Sequence, residues 1–236
     1  MTAGLAAGRR PQAVFVVAES AAARAAGADP ALADLPVYPV TDKVAAKITT
    51  LETAPDVIAV FPLLEAPPLA SLAAPDAVAV YADGIADPGN MGTLVRAAVA
   101  FGAAALIASP NSVDLFSPKC VRAGMGAVFS LPLYAEMSLA QVARAWPEAT
   151  IYGLVAHGGA ALDAVELRRP AVVCVGAERA GLSAGALGAV HEMLTIPLAP
   201  AAGGAVESLN AGVAGAIALY EFARRSGRRP TRGKQA

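Results

Sequence analysis

Short apolar runs rich in β-branched residues recur along the chain at 13–18, 57–61, 77–82, 104–108, 151–156 and 171–176. Their length and lack of polar alternation predict strands buried on both faces. Between them, 91–102, 138–146 and 208–225 carry apolar residues at helical spacing, the last through Leu209, Val213, Ile217 and Tyr220. Strands alternating with helices predict an α/β chain built on a parallel sheet. The pattern lapses over 62–75, where Pro62, Pro67, Pro68 and Pro75 interrupt it. We therefore expect a small α/β domain over 1–66, a linker over 67–75, a larger domain over 76–225 and a tail over 226–236.

Composition narrows the picture. The 236 residues suffice for a sizeable core without staples. The longest uncharged stretch, 97–113, holds Gly102, Ser109, Pro110 and Asn111 and falls short of the roughly 20 apolar residues a bilayer demands. No membrane association is expected. The apolar run after Arg9 and Arg10 ends at Glu19 without a cleavage pattern, and Cys120 and Cys174 lack metal or disulfide spacing. A reducing cytoplasm and no metal are the expectation. The net charge is −1, yet Arg224, Arg225, Arg228, Arg229, Arg232 and Lys234 crowd the C-terminus with no acid among them. Such a run is either a solvated tail or a holder of phosphate.

Three segments carry candidate chemistry. In the first, Asp83-Gly-Ile-Ala-Asp87-Pro-Gly-Asn90-Met-Gly92-Thr-Leu-Val-Arg96 follows a strand and opens a helix. Amides at a helix start meet anions, and Arg96 adds a forked donor; an ordinary capped turn fits equally well. Gly84, Gly89 and Gly92 lack dinucleotide-fingerprint spacing, which disfavours a nicotinamide oxidoreductase. In the second, the strand Val172–Val175 empties into Gly176-Ala177-Glu178-Arg179-Ala-Gly181, at the kind of strand end where α/β sheets bind ligands. In the third, Ile196-Pro197-Leu198 leads through a Gly/Ala/Pro-rich loop to Glu207-Ser208-Leu209-Asn210 and the last helix. Alone, Ser208 and Asn210 read as helix caps.

In order, DPGNMGTLVRAAVAFG, VGAERAGLS, and IPL with ESLNAGVAGAIALYE resemble the three signature motifs of the SpoU/TrmH family of RNA ribose 2'-O-methyltransferases in the SPOUT superfamily. The likeness covers 77–225, and SPKCVRAGMGAVF, 117–129, is similar to the family's connecting segment. Residues 40–44 and 57–60 resemble more loosely the small RNA-binding domain preceding the catalytic domain in many members. Two departures stand out: the 198–207 loop is longer than usual, and Asn210-Ala-Gly-Val replaces the usual Asn-Val-Ser-Val.

The resemblance implies a C-terminal segment threaded into a deep trefoil knot, S-adenosylmethionine as methyl donor without a metal, RNA as substrate and a homodimer using the last helix. It assigns catalysis to Asn90, Arg96, Glu178, Ser208 and Asn210, and cofactor contacts to Gly176, Ala177, Glu178, Ile196, Leu198, Ser208 and Leu209. RNA contacts are expected of Arg9, Arg10, Lys43, Arg96 and Arg122. A guanidinium stays protonated at neutral pH, so holding phosphate and stabilising a developing alkoxide suits Arg96 better than acting as base. His157 and His191 lie outside the motifs and are expected on the surface or in loops. Ribosomal RNA is preferred over transfer RNA by analogy with two-part members; an inactive RNA-binding protein of the same fold is the alternative.

Overall fold

The computed structural model describes residues 1–23, 34–199 and 208–226. Met1–Glu65 and Ala66–Ala236 are separate compact units. In the first unit, α1 (Thr2–Ala6) precedes β1 (Ala13–Val17), followed later by β2 (Val37–Val40), α2 (Asp42–Ile48) and β3 (Val57–Val60). The sheet runs β2-β1-β3, with β1 parallel to β2 and antiparallel to β3. Val14 and Val16 are buried, while Phe15 stacks on Tyr38 of the neighbouring strand at 5.6 Å. Alternating sides of β1 therefore do different work. The β2–α2 hinge is set by Thr41, whose side chain accepts from the Val44 amide.

The second unit holds β4 (Val78–Asp83), α3 (Pro88–Ala100), β5 (Ala105–Ala108), α4 (Pro118–Ala123), β6 (Leu133–Tyr134), α5 (Leu139–Ala145), β7 (Thr150–Leu154), β8 (Ala160–Ala161), β9 (Ala171–Gly176), α6 (Ala184–Leu187), β10 (Glu192–Thr195) and α7 (Ala211–Arg225). The sheet order is β6-β5-β4-β9-β7-β10-β8, and every pairing is parallel. A parallel sheet needs cover on both faces. Accordingly β4 and β5 are buried throughout, and alternate residues of β4 and β9 feed opposite cores. Val80, Ala82, Val173 and Val175 pack with Leu94 of α3 and Leu219 and Phe222 of α7. Ala79, Tyr81, Val172 and Cys174 pack with Leu139, Val142 and Trp146 on the far side. The proline-rich stretch joins that second core through buried Leu69, whose carbonyl accepts from Trp146 Nε1 at 2.9 Å.

Local chemistry fixes where elements start. The helix expected at 91–102 begins earlier because Asp87 accepts from the Asn90 amide at 2.8 Å and Pro88 occupies the first turn, where its missing N–H costs nothing. The last helix starts at Ala211 rather than Ser208 because Asn210 is its cap. Ser138 and Gln141 form a reciprocal capping box on α5. Strand β10 escaped the sequence pattern because Glu192 and Thr195 break its apolar run. Of the longer 198–207 loop, 200–207 lie outside the described residues, as does 227–236 of the basic tail.

Two contacts hold the helices where the site needs them. Gly92 faces α4 so closely that a methyl group would strike Ala123 and sit 2.7 Å from the Cys120 carbonyl oxygen. At the far end of α7, Glu221 accepts from Arg224 and from Arg225 Nε at 2.6 Å, and Arg225 also donates to the carbonyls of Leu162, at 2.9 Å, and Val165. The hydrogen bonds from Arg224, against the opposing cost of burial, hold the Glu221 carboxyl down at about 2, with Arg225 adding to the effect.

Gly92→Ala is expected to lose about 1–3 kcal/mol of unfolding free energy by overpacking against backbone; denaturant unfolding equal to wild type would show that α4 can retreat at no cost. Because the Glu221 pKa lies below its unfolded value, its contribution is complete above the ordinary carboxylate range and lost as pH falls toward about 2. The melting temperature should therefore drop more steeply over that acid window in wild type than in Glu221→Gln, and parallel pH profiles would contradict the pairing.

Candidate active site

The C-terminal ends of β9, β7 and β10 open onto a cleft enclosing about 780 Å³, including the part continuous with solvent. Strand ends are where open α/β sheets place small-molecule sites. One wall is Leu154, Val155 and Ala156 beyond β7; another is Val175, Gly176, Ala177, Glu178 and Gly181 at the end of β9. Leu194, Ile196 and Leu198 follow β10, and Ser208, Leu209, Ala211 and Ala214 close the side at the start of α7. Glu178 carries the single ionisable side chain among these lining residues.

Glu178 rides on a tight hairpin. Ala177 and Gly181 exchange both backbone hydrogen bonds, at 2.9 and 3.1 Å, leaving Glu178, Arg179 and Ala180 as the connection. Gly181, which closes the connection, takes φ +67°, a left-handed conformation that glycine adopts without a Cβ penalty. Gly176 lies directly beneath, and a Cβ there would overlap the Gly181 backbone. From the other side the buried carboxylate of Asp83, at the end of β4, accepts from the Ser183 amide at 2.7 Å. The hairpin is therefore pinned at both feet.

From that hairpin a polar chain crosses the rim. Asn90 Nδ2 donates to Glu178 Oε1, Asn90 Oδ1 accepts from Asn210 Nδ2 at 2.7 Å, and Asn210 Oδ1 accepts from the Val213 amide at 3.2 Å. A carboxylate only accepts, so Asn90 must turn its NH2 toward Glu178 and its oxygen toward Asn210. Every amide orientation along the chain follows from that one constraint. Arg96 stands elsewhere on α3: Nη1 lies 3.0 Å from Sδ of Met125, an exposed residue at φ +49° in the turn after α4.

Of the residues expected in catalysis, the structure thus joins Asn90, Glu178 and Asn210, sets Ser208 on the cleft wall, and turns Arg96 toward Met125. Gly176, Ala177, Glu178, Ile196, Leu198, Ser208 and Leu209 all line the cleft. Among the expected RNA contacts, Arg122 is exposed in the last turn of α4; in the first unit Arg9 and Lys43 are exposed, and Arg10 lies 4.0 Å from Asp34. His157 and His191 are both exposed, and His191 Nδ1 accepts from the Ile151 amide at 2.9 Å. Sequence reasoning passed over Leu154–Ala156, Asp83 and Met125. Asp83 and Met125 stood inside quoted motifs, but only the fold reveals what their side chains touch.

Burial pushes the Cys120 thiol up to about 11, with Asp114 adding to it, and raises Cys174 further, with Asp83 contributing. Neither lines the cleft, and buried thiols so shifted make poor nucleophiles. Among the described residues no cluster of His, Cys, Asp and Glu is placed to hold a metal, and no helix is long and apolar enough to cross a membrane.

With this parallel α/β unit and its strand-end cleft in view, comparison with known proteins places the chain. Residues 77–220 match the model of the SpoU rRNA Methylase family. The chain belongs to that family. Among curated relatives, an uncharacterized tRNA/rRNA methyltransferase of Synechocystis is 36% identical over 157 residues, covering 65% of this chain and 40% of that protein. A 23S rRNA (uridine(2479)-2'-O)-methyltransferase of Streptomyces viridochromogenes is 34% identical over 166 residues, covering 66% and 56%. The chain thus spans about half the length of these relatives. The crystal structure of the SpoU methyltransferase AviRb from Streptomyces viridochromogenes, in complex with the cofactor AdoMet, superposes with a TM-score of 0.82 at 26% identity, over 95% of this chain and 86% of that one.

Asn90→Asp sets a carboxylate against Glu178 and is expected to cost about 1 kcal/mol or more in unfolding free energy at neutral pH. The loss should shrink below the carboxylate range. Equal stability at both pH values would mean that the rim chain holds nothing in place.

Proposed function

We propose that this chain transfers a methyl group from S-adenosylmethionine to a ribose 2'-hydroxyl of structured RNA, with ribosomal RNA preferred over transfer RNA. The observation that carries the reading is the Glu178–Asn90–Asn210 chain at the rim of the cleft, which unites the three motif segments. The 2'-O chemistry and ribosomal substrate named for the Streptomyces relative support it. The relative named tRNA/rRNA methyltransferase keeps transfer RNA as the second substrate to test.

The cleft fits the donor. Its walls are small and apolar side chains interleaved with main chain, suited to a nucleoside, and the Glu178 carboxylate is the matching charge for a cationic sulfur. Gly176, Ala177, Ile196, Leu198, Ser208 and Leu209 would hold the molecule. When bound, S-adenosylmethionine supplies an electrophilic methyl group. The residues contribute alignment, which is worth about 7 to 11 kcal/mol in favourable cases. Asn90 fixes the Glu178 carboxylate at the rim, where it orients the ribose. Arg96, an exposed guanidinium, holds RNA phosphate and stabilises the developing alkoxide. Arg122, with Arg9, Arg10 and Lys43 in the first unit, supplies further phosphate contacts.

A homodimer completes the reading. The outer side of α7 leaves Val213 and Tyr220 exposed, with half-buried Ile217 between them at helical spacing, an apolar stripe of the kind a helix buries against a partner. The family's threaded C-terminal segment and a cytoplasmic location belong to the same proposal.

Purified protein should transfer labelled methyl to RNA and yield a 2'-O-methylated nucleoside on digestion. Arg96→Ala should lose most turnover, about a hundredfold or more if it stabilises the developing charge, while binding the donor normally by calorimetry. Wild-type turnover in that variant would remove Arg96 from the reaction; donor binding without transfer to either RNA class would favour an inactive RNA-binding protein.

A further inference from the structure

Among the described residues, the rim carries a cation that neither the motif assignments nor the mechanism has used. Arg179 sits at the tip of the three-residue connection between Ala177 and Gly181, next to Glu178. It is exposed, and among the described residues it has no hydrogen-bond or ion-pair partner. Its surroundings are not those of a loose surface arginine. The hairpin feet are tied by the Ala177–Gly181 pair of hydrogen bonds, by the close seating on Gly176 and by the Asp83–Ser183 contact. An unpaired guanidinium is thus carried on a backbone with little freedom, at the edge of the cleft.

We propose that Arg179 grips an RNA phosphate flanking the reacting ribose. The inference rests on the methyl-transfer reading above and names a contact that fixes the substrate in that same site. In a nucleotide the 2'-oxygen and the 3'-phosphate are separated only by C2', C3' and O3'. A ribose oriented by Glu178 therefore brings a phosphate within reach of the neighbouring side chain. The geometry favours RNA over the donor's own carboxylate, because Glu178 and Gly181 line the cleft while Arg179 between them does not. Arg179 also offsets the repulsion that the Glu178 carboxylate exerts on a polyanion. Its planar fork suits bidentate phosphate contact.

The test is RNA binding and methyl transfer by Arg179→Lys, Arg179→Ala and Arg179→Glu, using in-vitro transcribed 23S ribosomal RNA across a series of potassium chloride concentrations, with donor affinity and thermal unfolding measured alongside. Arg179→Ala should weaken RNA binding about tenfold and flatten the dependence of log affinity on log salt by about one. Arg179→Glu should be weaker still, Arg179→Lys should keep the salt slope, and donor affinity should not move in any of them. An unchanged slope in Arg179→Ala, or a fall in donor affinity, overturns the assignment while wild-type transfer leaves the methyltransferase reading intact. Wild type that neither binds nor methylates this RNA, or transfer RNA assayed beside it, removes both.

Discussion

Three stretches of chain far apart in sequence meet through two side-chain amides and one carboxylate. Glu178 can only accept, so Asn90 must give it the NH2 group, and Asn90 is left with an oxygen that only a donor can satisfy; Asn210 supplies that donor and spends its own oxygen capping α7. Reverse any one amide and two bonds become repulsions. The end of β9, the start of α3 and the start of α7 are therefore held in a single mutual arrangement, and the cleft wall formed by the first and last of them is braced by it. The chain lies on an exposed rim, so each of its bonds contributes about 0.5–1.5 kcal/mol net, and what it fixes is mutual orientation more than stability.

Around that chain the backbone is brought close by missing side chains. A Cβ on Gly212 would meet the Asn90 carbonyl oxygen at 3.0 Å and Thr93 at 3.1 Å, and one on Gly215 would run into Leu94 and approach Val175 at 3.2 Å. Helix α7 can lie that near to α3 only because those two positions are bare. Gly176 does the same for the hairpin above it. The interior of the sheet, by contrast, is ordinary in its physics: fully buried strands with each face closed by helices, and aromatic anchors such as Tyr152 and Phe222 meeting edge to face at 5.5 Å.

Much of this was readable beforehand, for identifiable reasons. The runs at 77–82, 104–108, 151–156 and 171–176 became strands because burial on both faces leaves a continuous apolar signature, whereas the similar run at 57–61 became β3, in which no residue is buried and Val60 is exposed. Strand β10 and the short β6 and β8 were invisible because runs of two to four residues carry too little periodicity. Helix starts shifted by up to three residues wherever a cap side chain decided the boundary, at Asp87 and again at Asn210. Within the site, the motif glycines and polar residues could be named from sequence, but not who bonds whom. Nothing linear says that Arg96 turns toward Met125 while Asn90 turns toward Asn210, because that depends on which face of α3 meets α7 and which meets the turn after α4.

The two bare positions on α7 also act as an index. Gly212 and Gly215 are three residues apart, and each receives a different part of α3, the Asn90–Thr93 turn and the Leu94 side chain. Advancing the helix by one residue would turn it by about 100° and shift it by about 1.5 Å. Either notch would then present a methyl or larger group to the wrong tooth. The final helix can seat in one setting, as a key seats in a lock, and that setting delivers the Asn210 amide to Asn90. The small residues of the last helix thus encode a position as well as a packing.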